Sequence, residues 1–445
     1  MTVNSGYLIF SFAGCELTAA EIDILAHPKL GGILLFSENF VSPLQLRQWI
    51  EQLRQLRRQY QPQAPQLLML VDQEGGAIQR FQQGFTRLPA PVLYGGLADW
   101  LGIDFAQQVA YRNGYCMAHQ LQSCGVDISL APSLDAAIPG SDIISALGRG
   151  MHQDRQMVAK LAVGFARGMQ AAGMPATGKH FPNHGFCHAD SHLMLPVDTR
   201  SCEEILLDLI PYQQLMDEDL LQLVMPAHIY FPQWVGQTPI PGGFTKAIVQ
   251  DLLRQQLGFS NVVISDCLSM GAVTGTPVDR VCQALTAGQD MVIYSHQSVA
   301  VMQQLLNDCP SPTPVSQQRI DALTQWCRMH QPTVAPSLLN FEEVKILWEL
   351  PSLQQKVMQA VQGFAQIATY VEQRWRQKQW AMDQVDPITG QPTLWPVMIT
   401  GDPQQTVFDL TTLLALPVDE VGVRHHPLEY QQASYQFTLD QLQLR

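Results

Sequence analysis

Through the first three hundred residues, short apolar runs alternate with longer stretches whose apolar positions recur at helical spacing. The short runs predict strands over residues 7–12, 32–36, 67–71, 126–131, 176–179, 223–227, 261–265 and 291–294. The amphipathic stretches predict helices over 42–59, 105–123, 155–172, 202–216, 246–256 and 278–287. Ser201 before Glu203 and Glu204, and Thr245 before Lys246, have the chemistry of helix starts. Gly125, Gly173, Gly258 and Gly288 stand where a helix-ending glycine belongs. Eight strand–helix units describe an α/β fold, a (β/α)₈ TIM-type barrel; six would have favoured an open doubly wound sheet.

A barrel makes a positional prediction, because chemistry in this architecture sits at the carboxyl ends of the strands. Polar residues do stand there. Asp72 ends the third run, Asp135 follows the fourth, Lys179 and His180 end the fifth, His228 ends the sixth and Asp266 ends the seventh.

A helix expected over 316–329 would close the barrel, and the segment 331–337, with Pro332 and Pro336, marks a boundary. This divides the chain into a catalytic barrel, 1–330, a helical extension packing on it, 331–382, and a small C-terminal extension, 383–445. The last carries a strand candidate over 395–400 and a helix candidate over 405–416, with no chemical motif. A packing role is the default for it.

Composition narrows the class. The chain of 445 residues is 46% hydrophobic and 15% charged, which suits a globular protein with a large core. A net charge of −13 without a basic cluster argues against nucleic acid and against an anionic membrane surface. No apolar stretch approaches membrane-spanning length, and the first residues lack the positive region of a signal peptide. The cysteines, nine and without close pairs, fit a reduced cytoplasmic protein better than a disulfide scaffold or a zinc site. A monomer is expected.

Candidate chemistry concentrates in residues 178–192, where His180, His184, His188 and His192 accompany Lys179 and Asp190. Glycine and proline stop regular structure there, so the segment reads as a polar loop leaving a strand. Asp190 and His192 are two apart and would face the same way on an extended segment, letting the carboxylate orient the imidazole for acid–base work. Metal binding is the alternative, but no helical H-x-x-x-H pattern or cysteine partner supports it. A satisfied loop residue is the commoner use of a single histidine, and for His184 and His188 that reading stays open. Asp72 and Glu74, followed by Gly75 and Gly76, form either a sugar-binding strand end or a solvated turn. Asp266 suits a nucleophile, although the cap of a following helix is the commoner use of aspartate at such a boundary.

Several segments together resemble the bacterial β-N-acetylhexosaminidases of glycoside hydrolase family 3, the type that acts in cell-wall recycling. They are 31–36, 72–81, 130–135, 179–192, 224–228 and 265–270, and the pairing of Lys-His-Phe-Pro with Asp-Ser-His is the most specific of them. The resemblance implies Asp266 as nucleophile, His192 as general acid/base and Asp190 as its partner. It implies Asp72, Arg80, Arg149, Lys179 and His180 as sugar-binding residues, with no cofactor and no metal. The implied substrate is a muropeptide fragment, N-acetylglucosamine linked to anhydro-N-acetylmuramic acid, or an N-acetylglucosamine disaccharide. Departures from the family pattern are Asn183 in place of glycine, Ala77 in place of arginine, and Phe186 and Cys187 in place of polar residues. If that glycine takes positive φ, asparagine is its least costly replacement, so the loop path is expected to survive. A phosphorylase using the same site and a non-catalytic muropeptide-binding protein remain alternatives.

Overall fold

A computed structural model of the chain describes residues 5–187 and 189–330. Ten strands follow in order: β1 (Leu8–Phe10), β2 (Leu30–Leu35), β3 (Leu68–Val71), β4 (Gln73–Gly75), β5 (Ile78–Gln79), β6 (Ile128–Ser129), β7 (Ala176–Phe181), β8 (Leu221–Pro226), β9 (Val262–Val263) and β10 (Val292–Ile293). Eight of them, all except β4 and β5, form the expected barrel. Parallel pairing runs β10-β1-β2-β3-β6 in one arc and β7-β8-β9 in the other. Single parallel bridges, Ser133 to Lys179 and Ile264 to Met291, close both seams. Closure leaves no sheet edge exposed and fixes which strand ends become neighbours.

Every barrel strand is buried along its whole length, as a sheet covered on both faces requires. The helices carry the start chemistry read from the sequence. Ser201 and Glu204 form a capping box, and Gly125, Gly173, Gly258 and Gly288 all take positive φ. Among the described residues four α-helices lay outside the expectation: Ala19–Leu25, Val92–Leu101, Pro232–Val235 and Val299–Asp308. Two expected helices differ in form. The stretch 202–216 breaks into Cys202–Leu206, a 3₁₀ turn and Ile210–Asp217, with Pro211 at the start of the last piece. Ala247–Gln256 is wound as a π-helix, and Thr245 keeps a capping part by accepting from the Ile248 amide at 3.4 Å.

Acids at the opposite, amino ends of the strands have a different task. Asp127 accepts from the Met69 amide at 2.7 Å and pairs with Arg54; Asp290 accepts from the Val263 amide at 2.8 Å and pairs with Arg254. Each ties a strand start to its neighbour and to a helix, which is structural work. Among the described residues no helix is long and apolar enough to cross a membrane. The expected extensions, 331–382 and 383–445, lie outside the described residues.

Candidate active site

At the carboxyl rim the barrel opens into a cavity of about 400 Å³, lined among others by Asp72, Arg80, Arg149, Lys179, His180, His192 and Asp266. Seven of the eight residues singled out in the sequence therefore line one space. The eighth, Asp190, stands behind His192.

The floor is a chain of alternating charge. Arg80 lies 4.0 Å from Asp72; Asp72 accepts from Lys179 Nζ at 2.9 Å; Lys179 Nζ reaches Glu74 Oε1 at 2.6 Å. Glu74 in turn accepts from Arg149 through Nε at 2.9 Å and Nη2 at 2.8 Å. Arg149 Nη2 is 3.3 Å from His180 Nε2, and His180 Nδ1 is 2.7 Å from Asp135 Oδ2. Charges this deep persist only when paired. Burial opposes ionisation at Glu74, yet Arg149 and Lys179 outweigh it and hold the carboxyl far below its ordinary range. Burial likewise opposes the Lys179 ammonium, and Asp72 and Glu74 raise it above its usual value. Arg149 is raised too, by Glu74 first among its charged neighbours and against the effect of burial.

β7 presents both Lys179 and His180 to the cavity because the strand register breaks between Lys179 and Phe181. After β3 the chain turns back through the β4–β5 hairpin, with Gly76 and Ala77 at its turn. Gly75 has φ +103°, and a β-carbon there would stand 2.5 Å from the Pro89 carbonyl. The hairpin carries Glu74 inward and leads into Arg80.

Asp266 follows β9 and its Oδ1 accepts from the Cys267 amide at 2.7 Å. No helix starts here, the next being Pro277–Ala287 with Thr276 as its cap, so the helix-capping use expected as the commoner one does not apply, and the carboxylate lines the cavity. Burial works to raise the carboxyl; His228, His180, the Cys267 amide and Lys179 prevail and hold it below the ordinary aspartate value. His228 is buried, its own value lowered chiefly by burial, with Nε2 3.3 Å from the Cys267 carbonyl.

The loop after β7 departs from its expected path in one respect. Asp190 and His192 meet across a turn, not along an extended segment: the Leu193 and Met194 amides donate to the Asp190 carbonyl at 3.0 and 3.1 Å. Asp190 Oδ1 accepts from the His192 amide at 2.8 Å and lies 2.7 Å from His192 Nδ1. The expected pairing is present, produced by a local turn rather than by strand alternation. Burial opposes ionisation of the Asp190 carboxyl, but the His192 backbone and side chain together outweigh it and lower the carboxyl below its usual value.

Asn183 is buried and does not take positive φ, so backbone conformation is not what it supplies; both its side-chain polar atoms are without partners. Phe186 lies under the guanidinium of Arg200, 3.3 Å from the ring centroid, with Arg155 at 4.8 Å, and anchors the loop's root. Cys187 is buried, its thiol pushed up to about 12 by burial first. Two further residues belong to the site. Glu74 is the acid that holds two cations, and Asp135 organises the histidines by accepting from both the His180 and His184 amides. Both carboxylates were visible at strand ends, but their partners are 45 to 105 positions away in sequence and meet them only through barrel closure. Among the described residues no three His, Cys, Asp or Glu side chains converge as a metal ion would require.

The chain is similar to known proteins in sequence and in fold. The family model described as glycosyl hydrolase family 3 N terminal domain matches residues 8–326. A beta-hexosaminidase from Pseudomonas aeruginosa is 40% identical over 315 residues, 69% of this chain and 89% of that protein. A beta-hexosaminidase from Methylobacillus flagellatus is 39% identical over 295 residues, 66% of this chain and 81% of the relative. Among solved structures, NagZ from Neisseria gonorrhoeae in complex with N-trifluoroacetyl-D-glucosamine is 32% identical with a TM-score of 0.67. That match covers 80% of this chain and 96% of the other. A family 3 beta-N-acetylglucosaminidase from Paenibacillus is 27% identical with a TM-score of 0.69, covering 79% and 67%.

Proposed function

The chain belongs to glycosyl hydrolase family 3 and is a glycosidase of the β-hexosaminidase kind, and from that premise we propose that it is a retaining exo-hydrolase of peptidoglycan fragments. It removes a terminal β-linked N-acetylglucosamine from anhydro-N-acetylmuramic acid, with or without attached peptide, in the cytoplasm and as a monomer. The observation that carries the reading is the convergence on one cavity of an ionised Asp266 and a His192 already paired with Asp190.

In the first step an Asp266 oxygen attacks the anomeric carbon and the bond to the leaving oxygen breaks, while protonated His192 gives that oxygen its proton. In the second, His192 takes a proton from water, whose oxygen attacks the same carbon and releases Asp266. The lowered value of Asp266 supports its part, since a nucleophile must be ionised while the acid beside it is protonated. A carboxylate held in place by the Cys267 amide is also preorganised for attack. Asp72, Arg80, Arg149, Lys179 and His180 bind the sugar hydroxyls and the acetamido group. The pair chain on the floor fixes their geometry before substrate arrives.

The test is turnover of an aryl β-N-acetylglucosaminide and of purified muropeptide fragments by wild type, Asp266→Ala and His192→Ala. Activity lost by about 10³-fold or more in Asp266→Ala, and a glycosyl–enzyme trapped on wild-type Asp266 by a fluorinated sugar, are the expected results. Activity that survives Asp266→Ala sinks the mechanism. Formation of the sugar 1-phosphate when phosphate is added would replace hydrolysis with phosphorolysis.

A further inference from the structure

The cavity has a depth gradient. At its floor the side chains of Lys179 and Arg149 are 2% and 8% exposed; at its rim those of His192 and His296 are 61% and 52% exposed. On the proposed reading the sugar being removed fills the floor. The leaving group must then lie on the rim, because His192 protonates its oxygen. His296 lines the same cavity and has no part in the chemistry just described.

Its placement is specific. His296 follows β10 with φ +54°, a left-handed conformation that non-glycine residues rarely adopt and that histidine tolerates better than most. The backbone is held there by its own amide, which donates to Ser11 Oγ at 2.8 Å. The ring is backed by Phe36, centroid to centroid 4.1 Å, and its Nε2 lies 3.7 Å from Glu38. Arg80 reaches across Phe36, 5.7 Å from the ring centroid. Three strand ends, those of β10, β2 and the hairpin after β3, thus cooperate to present one imidazole at the mouth. An aromatic ring backed on one side and open on the other is a surface for the apolar C–H face of a pyranose.

We propose that His296, supported by Phe36, is the platform for the leaving sugar and selects substrates whose aglycone is a pyranose ring. This rests on the exo-hydrolase reading for its direction, with glycone at the floor and aglycone at the rim. The residue is a specificity determinant: it touches the departing sugar and not the reacting atoms.

The test uses the full chain and His296→Asn, since asparagine keeps the left-handed backbone accessible and removes only the ring. Two substrates are compared: the β-linked N-acetylglucosamine disaccharide, and trifluoroethyl β-N-acetylglucosaminide, whose leaving group has no ring. The expected result is a KM for the disaccharide raised about tenfold with kcat nearly unchanged, and both constants unchanged for the trifluoroethyl glycoside. An unchanged disaccharide KM, or a parallel loss on both substrates, overturns the proposal. Absence of turnover of either substrate by wild type would defeat the hydrolase reading instead. Calorimetric disaccharide binding then decides the platform: about tenfold weaker binding to His296→Asn upholds it, and equal binding overturns it.

Discussion

The amide of Gly271 donates to the carbonyl of His192 at 3.0 Å, and a β-carbon on Gly271 would stand only 2.6 Å from that oxygen. The neighbouring Ala272 amide donates to the Ser191 carbonyl at 3.1 Å. The loop bearing the proposed acid/base is therefore docked, through two backbone hydrogen bonds, on the segment that follows Asp266. On the proposed mechanism, the two groups that act on one bond are set in position by this docking.

Gly271→Ala should push the loop away while leaving the barrel intact. A misplacement of about 1 Å can cost about 100-fold in rate, so kcat should fall by about 10- to 100-fold with a melting temperature close to that of wild type. Measured kcat within twofold of wild type would show that the docked loop position is not the reactive one.

Asp190→Asn should isolate the electrostatic part of the Asp190–His192 pair. The amide oxygen can still accept from the His192 backbone and ring, so the turn should persist, but the negative charge beside the ring is gone. The expected outcome is a fall in kcat of at least about tenfold, with stability little changed because His192 is well exposed. Circular dichroism with steady-state kinetics separates this from unfolding.

Glu74→Gln addresses the floor. Glu74 is 2% exposed and neutralises both Arg149 and Lys179. Removing one partner from a buried ion pair costs about 3–5 kcal/mol. A loss of that size in unfolding free energy is expected, with activity lost as well. A loss below about 1 kcal/mol would mean that water or a shifted Asp72 compensates.

These residues show what could be read before the fold was seen. Asp72, Lys179, His180 and Asp266 were legible because each terminates a recognisable apolar run, and a closed barrel brings all such ends to one rim. Asp190 and His192 were legible as a pair although the backbone that joins them is a turn. Glu74 was hidden in its part: nothing near it in sequence shows that two cations from distant strands converge on it. The β4–β5 hairpin was hidden because its strands are too short to show alternation. His296 was hidden because a left-handed histidine leaves no mark in a sequence pattern.

His184 supplies a pH signature. Its ring is buried, with Nε2 3.0 Å from Ser191 Oγ, its amide on Asp135 and its ring edge against His180. Burial first, and then the proximity of His180, lower it from 6.5 to about 4. The folded value is depressed, so its contribution is fully present above pH 6.5 and is lost as pH falls towards 4, where the unfolded chain binds the extra proton. Between pH 8 and pH 5 this linkage removes about 2 kcal/mol of stability. His184→Gln cannot take up that proton and can still donate to Ser191. Its urea midpoint should therefore fall less steeply between pH 8 and pH 5 than that of wild type. Identical slopes in the two proteins would assign the acid sensitivity of the fold to other groups.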